Sequence, residues 1–213
     1  MENILSFFEN KKVALVGPSK SIIHSNQGIE IESFDYVARM NHQWPILSAL
    51  NIDIGCRMDL LYHCCNPDFS MMRFSCPEFR DTRWVFYEQG IQTSVLKMIC
   101  QEHKINSLDI TSIYQNINNK LKMPPNTGIA AISHLLSLPI RSLKLFGLTF
   151  HQECYYEGYL GKGAEPKYWE NGKALQKIWN HQIDKQFTYF LEHLLLDSRL
   201  SVDSLSRKIM RID

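Results

Sequence analysis

The chain has 213 residues, of which 45% are hydrophobic and 21% are charged, and its formal net charge is +1. This length and composition fit one soluble globular domain with a sizeable core, which we take to span residues 1–213. The near-neutral charge, with no basic run, argues against nucleic acid as a partner, and no stretch approaches the roughly 18 apolar residues of a membrane span.

The start of the chain and the cysteines bear on the cellular compartment. Residues 1–12 lack a basic region followed by an apolar core, so we do not expect a secretory signal. The six cysteines form no CxxC pair and no zinc-ligand spacing: Cys56, Cys64, Cys65, Cys76, Cys100 and Cys154. We therefore expect free thiols, no metal site and a cytoplasmic protein.

Apolar runs with the composition of buried strands alternate with helical candidates along the chain. In chain order, the predicted strands are Val13–Val16, Tyr36–Met40, Met58–His63, Trp84–Tyr87 and Leu143–Phe146. The predicted helices are Gln92–Gln101, Ile129–Ser137 and Ile178–Leu196. This alternation favours an α/β fold with a mostly parallel central sheet that helices cover on both faces.

Small or polar residues follow three of these strands. Gly17 follows the first strand, Asn41 the second and Gly147 the last. Ligands of such sheets lie beyond the carboxyl ends of the strands where the strand order reverses, so we expect these residues to border one crevice. The turn from Gly17 to Ser21 is typical of a phosphate site, because a following helix would point N–H groups at an anion. A turn without a ligand is equally favoured by these residues alone.

Common nucleotide fingerprints are absent from this turn. It has neither the G-x-G-x-x-G pattern of dinucleotide sites nor the second Gly and the Lys of a P-loop. Further along, Asn126, Thr127 and Gly128 open a predicted helix and supply a cap, N–H groups and a hydroxyl.

Segments between residue 11 and about residue 200 resemble the sialyltransferases of glycosyltransferase family 29. The stretches VALVGPSKSI, IESFDYVARMN and DIGCRMDLLYHC resemble the large motif of that family, and PPNTGIAAISHLLSLPIRSLKLFG resembles its small motif. YYEGY, residues 155–159, resembles the third motif, and HQIDKQ, residues 181–186, resembles the very small motif.

The resemblance implies a single Rossmann-like domain, a variant of the GT-A type of glycosyltransferase fold, with no cofactor. It implies an enzyme that moves a sialic acid-type sugar to a hydroxyl of a glycan acceptor, with inversion and without a divalent metal. The donor would be CMP-sialic acid or a related CMP-sugar. His181 would be the catalytic base, and the donor-binding residues would be Gly17, Ser19, Asn41, Asn126, Thr127, Gly128, Gly147, Tyr155 and Tyr156.

Two positions depart from the family pattern, and the third motif is ambiguous. Pro18 replaces an Asn and so lacks a side-chain amide and an N–H donor. Gln186 replaces a Glu and carries no charge that could raise the pKa of His181, although Asp184 could compensate. The third motif could instead be KYWE, residues 167–170. These departures leave open a transferase for another nucleotide sugar, or a non-catalytic nucleotide- or glycan-binding protein with the same fold.

Other polar residues have structural interpretations that compete with functional ones. Without the resemblance, His181 would be interpreted as a surface histidine, and His134 fits a core position better than a ligand position. Arg39 could meet a phosphate or form a structural ion pair. Arg57 and Asp59 fit a role in holding the fold better than a catalytic role.

Overall fold

The computed structural model describes residues 3–41, 43–44, 48–65, 77–157, 159 and 182–212. Its centre is a seven-stranded sheet in which the strands lie in the order β5-β4-β3-β2-β1-β6-β7 and all neighbours pair in parallel. The strands are β1 Lys12–Val16, β2 Tyr36–Met40, β3 Leu60–His63, β4 Trp84–Tyr87, β5 Asn106–Asp109, β6 Ser142–Phe146 and β7 Leu200–Val202. The predicted α/β fold with a parallel central sheet is confirmed.

The strand order reverses at β1. The chain runs from β1 outward to β5 and then returns to the other side of β1 as β6. Val16 pairs with Phe146, so β1 and β6 end at the same level. A parallel sheet with this order has its natural ligand crevice between the carboxyl ends of these two strands.

Helices connect the strands and cover the sheet. They are α1 Ile4–Phe8, α2 Gly28–Glu32, α3 Asn51–Ile54, α4 Pro77–Arg80, α5 Thr93–Glu102, α6 Thr111–Leu121, α7 Thr127–Ser137, α8 Ile183–Tyr189 and α9 Ser204–Met210. A π-helical turn, Phe190–Leu194, continues α8. The three predicted helices therefore exist, with bounds that differ by one or two residues at α5 and α7. Residues 178–181 of the third lie outside the described part of the chain.

The sequence patterns missed β5, β7 and α6. Strand β5 has the sequence NSLD, is partly exposed along its whole length and lies at one edge of the sheet. Strand β7 has only three residues and lies at the other edge. Edge strands need fewer buried side chains than central strands, so neither shows the apolar run that identifies a central strand.

Alternate residues of the central strands pack against helices on opposite faces of the sheet. On one face, Leu15 and Tyr62 lie in a core with residues of α6 and α7. On the other face, Val85 packs with α5, and Val16 packs with residues of α2 and α3. Burial on both faces fits continuous apolar strands in a parallel sheet. Among the helices described, none is long and apolar enough to cross a membrane.

Candidate functional site

The backbones of Gly17 and Gly147 touch where β1 and β6 end. The N–H of Gly17 donates to the carbonyl of Phe146 at 2.6 Å, and the N–H of Ser19 donates to the carbonyl of Gly147 at 2.9 Å. A Cβ atom on Gly17 would lie 2.3 Å from that carbonyl oxygen, and Gly147 has a φ of +58°. Glycine is therefore required for the two strand ends to approach this closely.

Leu148 links this pair of glycines to the start of α7. Its Cα lies 2.8 Å from the Cβ position of Gly17, and its side chain lies 3.3 Å from the Cβ position of Gly128. The residues after β1 and β6 and the first turn of α7 thus lie together at the carboxyl edge of the sheet, as the sequence predicts.

Asn41 joins the ends of β2 and β3 to the first residue of α7. Its side-chain oxygen accepts from the N–H of Cys64 at 3.1 Å, and its amide donates to the Thr127 hydroxyl at 3.1 Å. Asn41 has a φ of +50°, in the left-handed region that Asn tolerates better than most residues. Asn41, which the resemblance predicts to bind the nucleotide, therefore also fixes the position of Thr127.

The start of α7 has the chemistry of an anion site. The side chain of Asn126 caps the helix by accepting from the N–H of Ile129 at 2.9 Å. The backbone N–H of Asn126 donates to Oε1 of the buried Gln186 at 2.7 Å. Within the described residues, the N–H groups of Thr127 and Gly128 have no acceptor. These two N–H groups and the Thr127 hydroxyl stand at the positive end of an 11-residue helix.

The turn after β1, by contrast, has its N–H groups bonded within the chain. Oε2 of Glu153 accepts from the Ser19 hydroxyl at 2.8 Å and from the N–H of Ser21 at 3.1 Å. The N–H of Lys20 donates to the carbonyl of Cys154 at 2.9 Å. A carboxylate thus occupies the place where a phosphate would have to bind. Of the two alternatives open for this turn, the geometry favours the one without a phosphate.

The Tyr155–Tyr156 stretch lies directly against this turn. Tyr155 forms a bridge with Ser19, and the N–H of Tyr156 donates to the carbonyl of Pro18 at 3.0 Å. The Tyr155 ring lies 5.4 Å from the His151 ring. Burial raises the pKa of Tyr155, so its hydroxyl stays protonated and can donate a hydrogen bond. The competing stretch at residues 167–170 lies outside the described residues.

Two residues that the sequence patterns missed support the site. Tyr114, on α6, is buried in the core beneath this site and interacts with Thr127, and burial raises the pKa of Tyr114 well above its usual range. Asp203 accepts from the N–H of Gly147 at 3.1 Å while it caps α9. The Asp-Ser pair before an apolar-periodic segment was a usable cap signal for Asp203. Tyr114 could have been identified only if α6 had been predicted from the sequence.

Several other polar residues have structural roles. His134 hydrogen-bonds the Tyr62 hydroxyl at 2.8 Å, and burial lowers its pKa to about 4, as expected of a neutral core histidine. Arg39 is fully buried and donates to the carbonyls of Ile54 and Arg57, both at 2.7 Å. Burial lowers the pKa of Arg39 to about 10. The phosphate role that the sequence left open for Arg39 is not supported.

The ion pair of Arg57 with Asp59, at 2.8 Å, also fits a role in holding the fold. The predicted base His181 lies outside the described residues, and Asp184 is exposed in the first turn of α8.

The sequence predicts neither a metal site nor a disulfide. No group of three His, Cys, Asp or Glu side chains that could hold a metal occurs among the residues that the structure describes. None of the five described cysteines, at positions 56, 64, 65, 100 and 154, is in a disulfide, and Cys76 lies outside the described ranges. Metal independence and the compartment stay predictions.

Comparison with known proteins gives structural matches only. No protein-family model matches the chain, and no curated protein sequence matches it. A mammalian sialyltransferase structure matches with a TM-score of 0.59 and 16% identity, over 91% of this chain and 69% of that chain. A mammalian sialyltransferase in complex with Gal-beta-1-3GalNAc-ortho-nitrophenol matches with a TM-score of 0.57 and 14% identity, over the same shares.

The sialyltransferase CstII from Campylobacter jejuni, in complex with cytidine-5'-monophosphate, matches less well. Its TM-score is 0.46 and its identity 12%, over 81% of this chain and 78% of that chain. At these identities, the two mammalian matches show that the chain has the fold of sialyltransferases, which is GT-A-like. The activity has to be argued from the residues.

Proposed function

We propose that this chain is a sialyltransferase-like glycosyltransferase, which moves a sialic acid-type sugar from its CMP ester to an acceptor hydroxyl with inversion. The observation that carries the proposal is the start of α7, where the N–H groups of Thr127 and Gly128 are without an acceptor among the described residues. They stand beside the carboxyl ends of β1, β2 and β6, in the segment that resembles the small motif. The shared fold supports the same interpretation.

The hydrogen-bond donors at this site suit a ligand with one phosphate group. A helix start carries about half a positive charge, and the Thr127 hydroxyl adds a neutral donor. The protonated hydroxyl of Tyr155 is a further donor near this edge, and such donors stabilise the charge that develops on a departing phosphate. A CMP ester has one phosphate, whereas a diphosphate donor would call for a cation. We therefore propose a metal-independent reaction without a cofactor.

His181 is the proposed base. An imidazole titrates near neutral pH and suits the removal of a proton from an acceptor hydroxyl. That oxygen then bonds to the sugar carbon, while the bond from this carbon to the phosphate oxygen breaks and CMP leaves with the electron pair. Residues 1–213 would form one catalytic domain for this reaction.

Nucleotide binding is the first experiment. Thermal unfolding is measured with CMP, UDP, GDP and NAD, because a ligand at about 100 times its Kd stabilises a protein by about 2.7 kcal/mol. Selective stabilisation by CMP is expected. Selective stabilisation by UDP or GDP would indicate a different nucleotide-sugar donor.

Turnover separates an enzyme from a binding protein. CMP release from CMP-sialic acid is expected with EDTA present, and dependence on magnesium or manganese would reject the metal-independent reaction. Thr127→Val should reduce the stabilisation by CMP because it removes one donor from the proposed anion site. Thr111→Val is the matched control, since Thr111 is also the first residue of its helix and accepts from Gln89 instead.

A further inference from the structure

We propose that Glu153 binds the vicinal hydroxyls of the donor's ribose, so that the turn after β1 recognises a ribonucleoside and not a phosphate. This inference rests on the proposed function, because it assigns one part of the same donor site. It also fixes the direction of the donor along the sheet edge, with the ribose at the β1–β6 junction and the phosphate at the start of α7.

The Glu153 carboxylate is held by one of its two oxygens. Oε2 accepts from the Ser19 hydroxyl at 2.8 Å and from the N–H of Ser21 at 3.1 Å. Ser19 is nearly fully buried, and its hydroxyl also lies 2.9 Å from the Ser21 hydroxyl, so this anchor is rigid. Among the described residues, Oε1 of Glu153 has no hydrogen-bond partner. A carboxylate oxygen only accepts hydrogen bonds, so Oε1 suits a ligand that donates them.

The bonds to Ser19 and Ser21 place Oε1 of Glu153 next to the end of β1, where the strand order of the sheet reverses. Ser19, which holds the carboxylate, is itself bonded to the carbonyl of Gly147. Acidic residues near the phosphate turn bind ribose hydroxyls in other doubly wound sheets, which is a physical precedent for this chemistry.

The charge of Glu153 discriminates between the two parts of a nucleotide. A carboxylate repels a phosphate, whereas a ribose offers two O–H donors to it, and hydrogen bonds to a charged acceptor are the stronger ones. The two ends of the crevice therefore carry charge of opposite sign, negative at Glu153 and positive at the start of α7. Glu153 accepts from hydroxyls at the turn, and the N–H groups of Thr127 and Gly128 donate to the anion.

Glu153→Gln separates these roles without removing the anchor. The amide oxygen of Gln can keep both bonds to Ser19 and Ser21, and the amide NH2 then replaces Oε1. The variant would present an amide N–H to the ribose hydroxyls, where the wild type presents an accepting oxygen. Glu102→Gln is the matched control, because Glu102 lies exposed on α5.

The test is a titration of the full chain with CMP and with 2',3'-dideoxy-CMP. The wild type and the Glu102→Gln control should bind CMP about tenfold more tightly than the dideoxy compound. Glu153→Gln should bind CMP about tenfold more weakly than the wild type and should not distinguish the two nucleotides. Thermal unfolding of the variant checks that it is folded.

Other outcomes overturn the inference in distinguishable ways. Equal binding of the two nucleotides by the wild type would refute it without any variant. Tighter binding of CMP by Glu153→Gln would show that the turn holds the phosphate. If the wild type binds neither nucleotide, the proposed function itself fails, and this inference fails with it.

Discussion

Gln186 should hold the start of α7 in position through the hydrogen bond that it accepts from Asn126. Its side chain is fully buried, and its Oε1 accepts from the N–H of Asn126 at 2.7 Å. Gln186→Met keeps most of the side-chain volume but removes the acceptor. A partly buried N–H without a partner costs about 1–3 kcal/mol in the free energy of unfolding. For a chain of this size, each kcal/mol corresponds to about 2–4 °C in Tm.

We therefore expect Gln186→Met to melt roughly 2–12 °C below the wild type and to bind CMP more weakly. Lys185→Met, which places the same new side chain at the exposed neighbouring position of α8, is the control and should melt at the same temperature as the wild type. An unchanged Tm and CMP affinity for Gln186→Met would refute the idea that this bond positions the donor site.

Gln186→Glu gives a second test of the same contact. The acid keeps an accepting oxygen, but burial would raise its pKa above that of an unfolded chain. A raised pKa in the folded state means that the folded protein takes up the proton more readily. Relative to the wild type, the variant should be unimpaired at low pH and should lose stability as the pH rises through the raised pKa. The opposite trend in urea unfolding would contradict this reasoning.

Three further predictions concern titrating or catalytic groups. Burial raises the pKa of Glu88, so Glu88→Gln should unfold at higher urea than the wild type at pH 7, and this advantage should vanish in acid. Burial lowers the pKa of His134 from 6.5 to about 4, so the wild type should lose stability as the pH falls from 6.5 toward 4. His134→Leu should lose less stability over that interval, and an identical pH slope in urea unfolding would reject the contribution of His134. His181→Ala should keep its stabilisation by CMP but release CMP from the donor about 10² to 10⁴ times more slowly, whereas wild-type release would exclude His181 as the base.

The central strands and the residues that follow them could be predicted from the sequence. Four of the five predicted strands match within one residue, because strands buried on both faces must be apolar throughout. The third begins two residues late, at Leu60. Gly17, Asn41 and Gly147 could be placed at one sheet edge because the carboxyl ends of parallel strands share an edge.

The contacts that define the site could not be predicted, because they depend on partners far away in the sequence. Glu153 contacts Ser19 across 134 residues, and Gln186 contacts Asn126 across 60. The sequence identified Gln186 only as a departure from a family pattern, whereas the structure shows a buried acceptor at the start of α7. No local periodicity encodes such pairings.

An NMR titration of the backbone amides of Thr127 and Gly128 tests directly whether the start of α7 binds the phosphate of the donor. We predict that CMP shifts both amide resonances by forming hydrogen bonds from them to its phosphate, and that cytidine, which lacks the phosphate, leaves them nearly unchanged. If CMP binds without shifting these two resonances, or if cytidine shifts them equally, the start of α7 is not the phosphate site of the donor.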